Sequence, residues 1–236
     1  MTARSARKAR NKVSQTLTKR VIQLLVPYVG RTGSAELAAE MAKRSVSSVR
    51  GARSTLAMSA NRQYREAIGS DGKPFKPVVL NRFDDKVWIQ SIEKALRDPE
   101  TDSLDVTITT DHLDEISRKA DHWARDAERG TLIDFAMRDP RFEGWARIDP
   151  EPPSCPFCTV LISIGPKRSD PNQAHFHIGD TCEVQLVLKG QEDYPGAEQV
   201  AEAQAKYEKA VKANGGKTDL AGLVKQLKTI DPEGQS

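Results

Sequence analysis

The sequence predicts a mainly α chain: an extended helical amino-terminal half, then a small α/β module, then a carboxy-terminal helix. Two observations carry that class. Apolar residues recur at three- and four-residue intervals over most of the chain, as in Leu113, Ile116, Ala120, Trp123 and Ala127, which marks one face of a helix. All three cysteines fall between Cys155 and Cys182, together with two of the four histidines, a concentration that sets a compact unit apart from the helices around it. Charged residues make up 29% and apolar residues 38% of the 236, so much of the helical surface is expected to face solvent.

Val13, Leu17, Val21 and Leu24 repeat at helical spacing, and Pro27, Gly30 and Gly33 end that first, short amphipathic helix. Ser34 is placed to N-cap a longer helix reaching about Ala67, with Leu37, Met41, Val49, Leu56, Ala60 and Tyr64 as its apolar stripe and Gly69 closing it. Its many alanines and serines suit close packing. Gly72-Lys-Pro-Phe-Lys-Pro77 cannot continue a helix and reads as an extended connector. A third helix is expected over Asp84 to Leu96, burying Val87, Trp88 and Ile92 before Pro99. Leu104, Val106 and Ile108 alternate with polar residues as a short strand would. The helix that starts near Asp111 is expected to break at Gly130, resume over Leu132 to Met137 and end at Asp139-Pro140. Strands are expected at Trp145 to Ile148 and at Glu183 to Leu188, paired around a helix from Thr159 to Ile164. A polar helix over Ala197 to Ala213 and a short one over Leu220 to Ile230 follow. The implied domains are a basic helical arm (1–68), a connector with a helical domain (69–144), a knuckle module (145–196) and a helical tail (197–236).

Charge is divided unevenly. Residues 1–65 hold 14 Lys or Arg against Glu36 and Glu40, net +12, whereas the remainder carries net −9. A basic third on an otherwise acidic chain points to a polyanion or an acidic protein surface, with Arg4, Arg7, Lys8, Arg10, Lys12, Lys19 and Arg20 as the contacting residues. No aromatic residue interleaves them, so contact with nucleic acid would be to phosphate and not to base. The bland alternative is a solvated helix face. No run approaches the ~20 apolar residues of a membrane span, and the basic start from Met1 to Lys12 lacks the apolar core of an export signal; a soluble, intracellular chain is expected.

Cys155-Pro-Phe-Cys158 can turn two sulfurs toward one point, and a tetrahedral zinc then needs two further ligands. Cys182 and one histidine complete a Cys3His set. His177 is preferred because it lies nearer Cys182; His175 is the alternative, since neighbours two apart share a face of an extended segment. Ordinary buried thiols and a redox pair are the competing readings, the latter wanting a βαβ context that is not apparent. With no glutamate placed as a general base, the zinc would be structural.

From Arg129-Gly-Thr131 through Asp139-Pro-Arg141 and Gly144-Trp-Ala-Arg147 to Cys155-Pro-Phe-Cys-Thr-Val-Leu161, the sequence resembles the phage minor head proteins related to the Mu protein F family. Gly165, the pair His177 and Cys182, and Tyr194-Pro-Gly196 extend the resemblance, which covers about residues 123 to 213. Relatives commonly close the unit with a second cysteine, where this chain has Val184. The resemblance implies a structural minor capsid or head-morphogenesis protein of a tailed bacteriophage, inside the virion head and in the host cytoplasm during assembly. Portal and major capsid or scaffold proteins would be its partners, with packaged DNA reached through phosphate. No small-molecule substrate and no membrane is implied. Two alternatives stay open: a head maturation protease, although no Gly-x-Ser-x-Gly context appears and His112 with Ser117 or Ser103 is a pairing any chain could show by chance, and an HNH-like zinc nuclease, whose distal Asn and His do not follow the knuckle.

Overall fold

The computed structural model describes residues 3–69, 83–150, 154–168, 176–178 and 181–230, the side chains of residues 3–6 lying outside that set. The chain is mainly helical and divides into two compact units. One draws chiefly on residues 3–66 and 83–131, the other on 132–168 and 181–230.

The first unit is built from α1 (Ala3–Leu25), a single 3-10 turn (Val26–Tyr28), α2 (Ala35–Ile68), α3 (Asp85–Leu96) and α4 (Thr110–Arg138) as far as Thr131. The Ser34 hydroxyl accepts the Leu37 amide at 3.1 Å and Asp84 accepts the Lys86 amide at 2.9 Å, so α2 and α3 begin where their capping side chains dictate. All six stripe residues expected of α2 are buried, and Trp88, Ile92, Ile116 and Ala120 share one core with Leu37, Met41, Val49 and Leu56. The small polar residues of the core are satisfied internally: Trp88 Nε1 donates to Ser45 Oγ at 3.0 Å, and Trp123 Nε1 to Ser91 Oγ at 3.0 Å.

Three expectations are corrected here. The first helix is 23 residues long, and its buried row is Arg10, Ser14, Leu17, Val21 and Leu25; Val13 and Leu24 stand at the edge of that row, half-buried. Two polar residues at its start replace apolar ones because α4 offers them partners. Gly130 does not break α4, which runs unbroken to Arg138. A helical glycine costs only about 1 kcal/mol relative to alanine, and the buried neighbours Ala127, Thr131, Leu132 and Ile133 offset it. Leu104 to Ile108 forms no strand but a single antiparallel bridge, Thr32 to Thr107, because its partner is only the turn between α1 and α2. That turn is fastened by Gly30 N–H to Ile108 O, Ile108 N–H to Arg31 O and Gly33 N–H to Val106 O at 2.8–2.9 Å. Gly33 is required there: a Cβ would lie 2.5 Å from the Leu104 carbonyl oxygen.

In the second unit, β1 (Phe142–Ile148) pairs antiparallel with β2 (Glu183–Leu188), with Trp145 opposite Leu186 and Ile148 opposite Glu183. Between them in sequence lies α5 (Pro156–Ile162), and α6 (Ala197–Ala213) and α7 (Leu220–Ile230) cover it. Ala146, Cys158, Ile162, Val187, Val200 and Ala203 form one core cluster; Val160, Ala210, Leu223 and Leu227 form a second. β2 is buried on both faces, since Val187 is as enclosed as Val184 and Leu186. Gly144 holds φ +157°, and a Cβ there would meet the Lys167 carbonyl oxygen at 2.2 Å. That closeness lets Trp145 and Lys167 exchange both backbone hydrogen bonds, at 2.9 and 3.0 Å, so the segment after α5 is stitched to the edge of β1.

Candidate metal centre

The knuckle is produced by the start of α5. Pro156 occupies its first turn, where a missing N–H costs nothing, and Cys155 is the N-cap, its Sγ accepting the Cys158 amide at 3.3 Å. That hydrogen bond bends the Cys155 side chain over the helix start, beside the side chain of Cys158. The Thr159 amide and hydroxyl both donate to the Cys155 carbonyl, at 2.9 and 3.1 Å, closing the turn. All three cysteines are thiols and not disulfides.

Cys155, Cys158 and His177 are the sequence-predicted ligands that the structure brings together: their donor atoms lie within 4.8 Å of one another. They are close enough to bind a metal ion, and two thiols with an imidazole are donors suited to zinc. Burial is graded across the group, with Cys158 buried, Cys155 half-buried and His177 exposed. His177 Nδ1 lies 3.3 Å from the Ile178 carbonyl oxygen, so in the tautomer that donates there Nε2 is the acceptor nitrogen. Cys182 is not part of that group. It is 2% exposed and packs in the same core cluster as Cys158, immediately before β2. His175, the alternative nitrogen ligand, lies outside the described residues.

Polar residues around the knuckle hold its frame. The Thr181 hydroxyl, next to Cys182, donates to Asp149 at 3.0 Å. Gln199 of α6 makes two bonds to the Asp149 backbone, at 2.8 and 2.9 Å. The Arg147 guanidinium stacks 3.9 Å from the centre of the Phe176 ring, beside His177. Lys167 places its amine 4.8 Å from the Trp145 ring, and burial, with the Arg147 charge adding to it, pushes that amine below the ordinary lysine value. The Arg147–Phe176 stack had no signal in the sequence beyond residue type, because 29 positions separate the two.

The basic residues separate into two groups. Lys8, Lys12, Lys19 and Arg20 are exposed and Arg7 is half-buried, while the Arg4 side chain lies outside the described set. Arg10 corrects the expectation of a contacting residue. It is 5% exposed, and its guanidinium is bidentate on Glu128 of α4, at 2.5 and 3.1 Å. A side chain so engaged is not available to an outside anion. Next to it, Ser14 donates to Asp121, which also takes Arg125 at 2.8 Å. Glu128 was the residue that sequence reasoning missed, since nothing local to either residue marks a pair 118 positions apart.

The histidine and serines considered for proteolysis serve the backbone instead. His112 Nδ1 accepts the Thr109 amide at 3.0 Å, at the start of α4. Ser117 Oγ donates to the Asp114 carbonyl at 2.8 Å, and Ser103 Oγ accepts the Asp105 amide at 3.0 Å. Among the described residues no helix is long and apolar enough to cross a membrane.

A family model described as VG15 protein matches residues 1–210. No curated protein and no solved structure matches the chain.

Proposed function

Because the chain belongs to the VG15 protein family, a family of phage proteins, we propose that it is a structural component of a tailed-phage head, a minor capsid or head-morphogenesis protein akin to the Mu protein F relatives. The observation that carries this reading is the Cys155, Cys158 and His177 group on the turn into α5. It lies in the stretch from Trp123 to Ala213 where the resemblance is concentrated, and it follows a helical unit with a basic face. Its partners are the portal and the major capsid or scaffold proteins, and its places are the head interior and, during assembly, the host cytoplasm.

The metal is structural zinc. The sheet and α5, taken without α6 and α7, have little apolar area to bury, and zinc coordination contributes on the order of 10 kcal/mol to the folding of small units. Cys182, immediately before β2 and in the same core cluster as Cys158, is the fourth ligand. Elemental analysis of the purified chain should find one zinc, lost in Cys158→Ser; no zinc in the wild type would remove this part of the reading.

The exposed Lys8, Lys12, Lys19 and Arg20 supply an anion-facing surface on α1. If that surface meets packaged DNA, four phosphate contacts give a slope of log K against log salt of about −3.5. The assembly role is tested in a phage carrying a stop codon early in this gene. Heads should form in reduced number or fail to fill, and mass spectrometry of wild-type virions should find the chain at low copy; normal heads and absence from virions would overturn the assignment.

A further inference from the structure

Between α1 and α2 runs a groove of about 550 Å³. Its floor is apolar and shallow: Ala9, Val13 and Leu17 on one side, Gly51 and Ala52 on the other. Lys12 and Arg20 stand in its α1 wall, both exposed. It extends along α1 from Ala9 to Arg20, about three helical turns or some 16 Å.

Gly51 is the informative residue. It lies in the interior of a 34-residue helix, where glycine is disfavoured relative to alanine. A Cβ built on it would meet nothing within 4 Å, so no neighbour in this chain requires its absence. With Ser48 and Thr55 it makes a row of small side chains at helical spacing, which leaves the α2 backbone open to close approach. A phosphate backbone gains nothing from an apolar floor, whereas a helix laid in the trough would cover it.

Charge selects among helices. No Asp or Glu occurs before Glu36 or between Met41 and Arg65, so neither wall carries an acid, and the charges lining the groove are Lys12 and Arg20. A second copy of this face would bring like charges together. We infer that the α1–α2 groove is a docking site for an acidic amphipathic helix of a partner protein, its apolar stripe seated on Gly51 and Ala52 and its carboxylates beside Lys12 and Arg20. The inference rests on the reading of this face as anion-facing and names the class of partner it takes.

The test uses the full chain and two acidic peptides of about five turns, equal in composition, one with its leucines and alanines in a helical stripe and one scrambled, with duplex DNA as a third ligand. The striped peptide should bind at least about tenfold tighter than the scrambled one. Gly51→Leu, which fills the trough, should remove that advantage while leaving DNA binding as it was. Gly51→Ala should keep peptide binding and melt a few degrees higher, which separates occlusion of the groove from loss of the fold. Equal binding of the two peptides, or a striped-peptide affinity unchanged in Gly51→Leu, overturns the groove and leaves the anion-facing surface standing. Self-association lost in Gly51→Leu overturns it in favour of a second copy. If reversing Lys12 and Arg20 to Glu changes the binding of no ligand, the anion-facing reading falls as well.

Discussion

Replacing Glu128 by Gln keeps the volume of the side chain and removes its charge, leaving the Arg10 guanidinium enclosed beside a neutral amide. The two side chains are 6% and 3% exposed, so water cannot take over the role of the carboxylate. Loss of one partner from a buried ion pair costs about 3–5 kcal/mol. The amide oxygen still accepts one hydrogen bond and recovers about 1 kcal/mol, which leaves a net loss of about 2–4 kcal/mol. The second donor to Glu128, Gln63 Nε2 at 2.8 Å, ties α2 to the same point, so the loss should be felt where α1, α2 and α4 meet. Native-state hydrogen exchange reads this directly: the Leu17 and Val21 amides of α1 should open about 30- to 700-fold more often, each 1.4 kcal/mol being tenfold. Arg10→Met with Glu128→Leu should restore stability to within about 1 kcal/mol of the wild type, since a buried pair exchanged for apolar residues is often neutral. Unchanged exchange in Glu128→Gln would refute the reasoning and leave α1 held by its apolar residues Leu17, Val21 and Leu25.

Gly144→Ala should destabilise the second unit by several kcal/mol, because the new Cβ would press on the backbone carbonyl of Lys167 in a conformation strained for any side chain; thermal melting followed by Trp145 fluorescence checks it. Asp219 caps α7, accepting the Gly222 amide at 2.7 Å and an Asn214 Nδ2–H at 3.1 Å, and these bonds hold its carboxyl below the ordinary 3.8. A depressed acid stabilises the fold above its unfolded value and loses that contribution as pH falls through the folded one. Amide protection in α7 should therefore drop below about pH 4 in the wild type and already be lower at neutral pH in Asp219→Ala.

Much of the architecture was legible because it is written locally. Ser34 and Asp84 cap the helices that follow them, the α2 stripe from Leu37 to Tyr64 is buried throughout, and β2, α6 and α7 have the bounds their apolar patterns and flanking turns imply. Cys155-Pro-Phe-Cys158 likewise announced its own turn, since a thiol three residues ahead of an amide needs nothing distant to cap a helix. What failed to show was set by partners far along the chain. Arg10 reads as a surface cation until Glu128 faces it. Leu104 to Ile108 alternates like a strand, but a strand needs another, and only the Gly30–Gly33 turn lay alongside. Gly130 carries a helix-breaking signal that packing on the adjoining turns overrides. Cys182 was legible as a neighbour of the knuckle through Cys158, but not its separation from the three clustered donors.

The stack of Arg147 on Phe176 bears on how the metal would come and go. Phe176 is joined directly to His177, so a cation on β1 anchors the segment carrying the nitrogen donor without any help from an ion. The entropy of ordering that segment is thus spent during folding of the protein, so less of it would be left for an ion to offset. With His177 exposed and Cys158 enclosed, the same asymmetry would set the order of departure of a bound ion: chelators would reach it from the imidazole side while the sulfurs still held it.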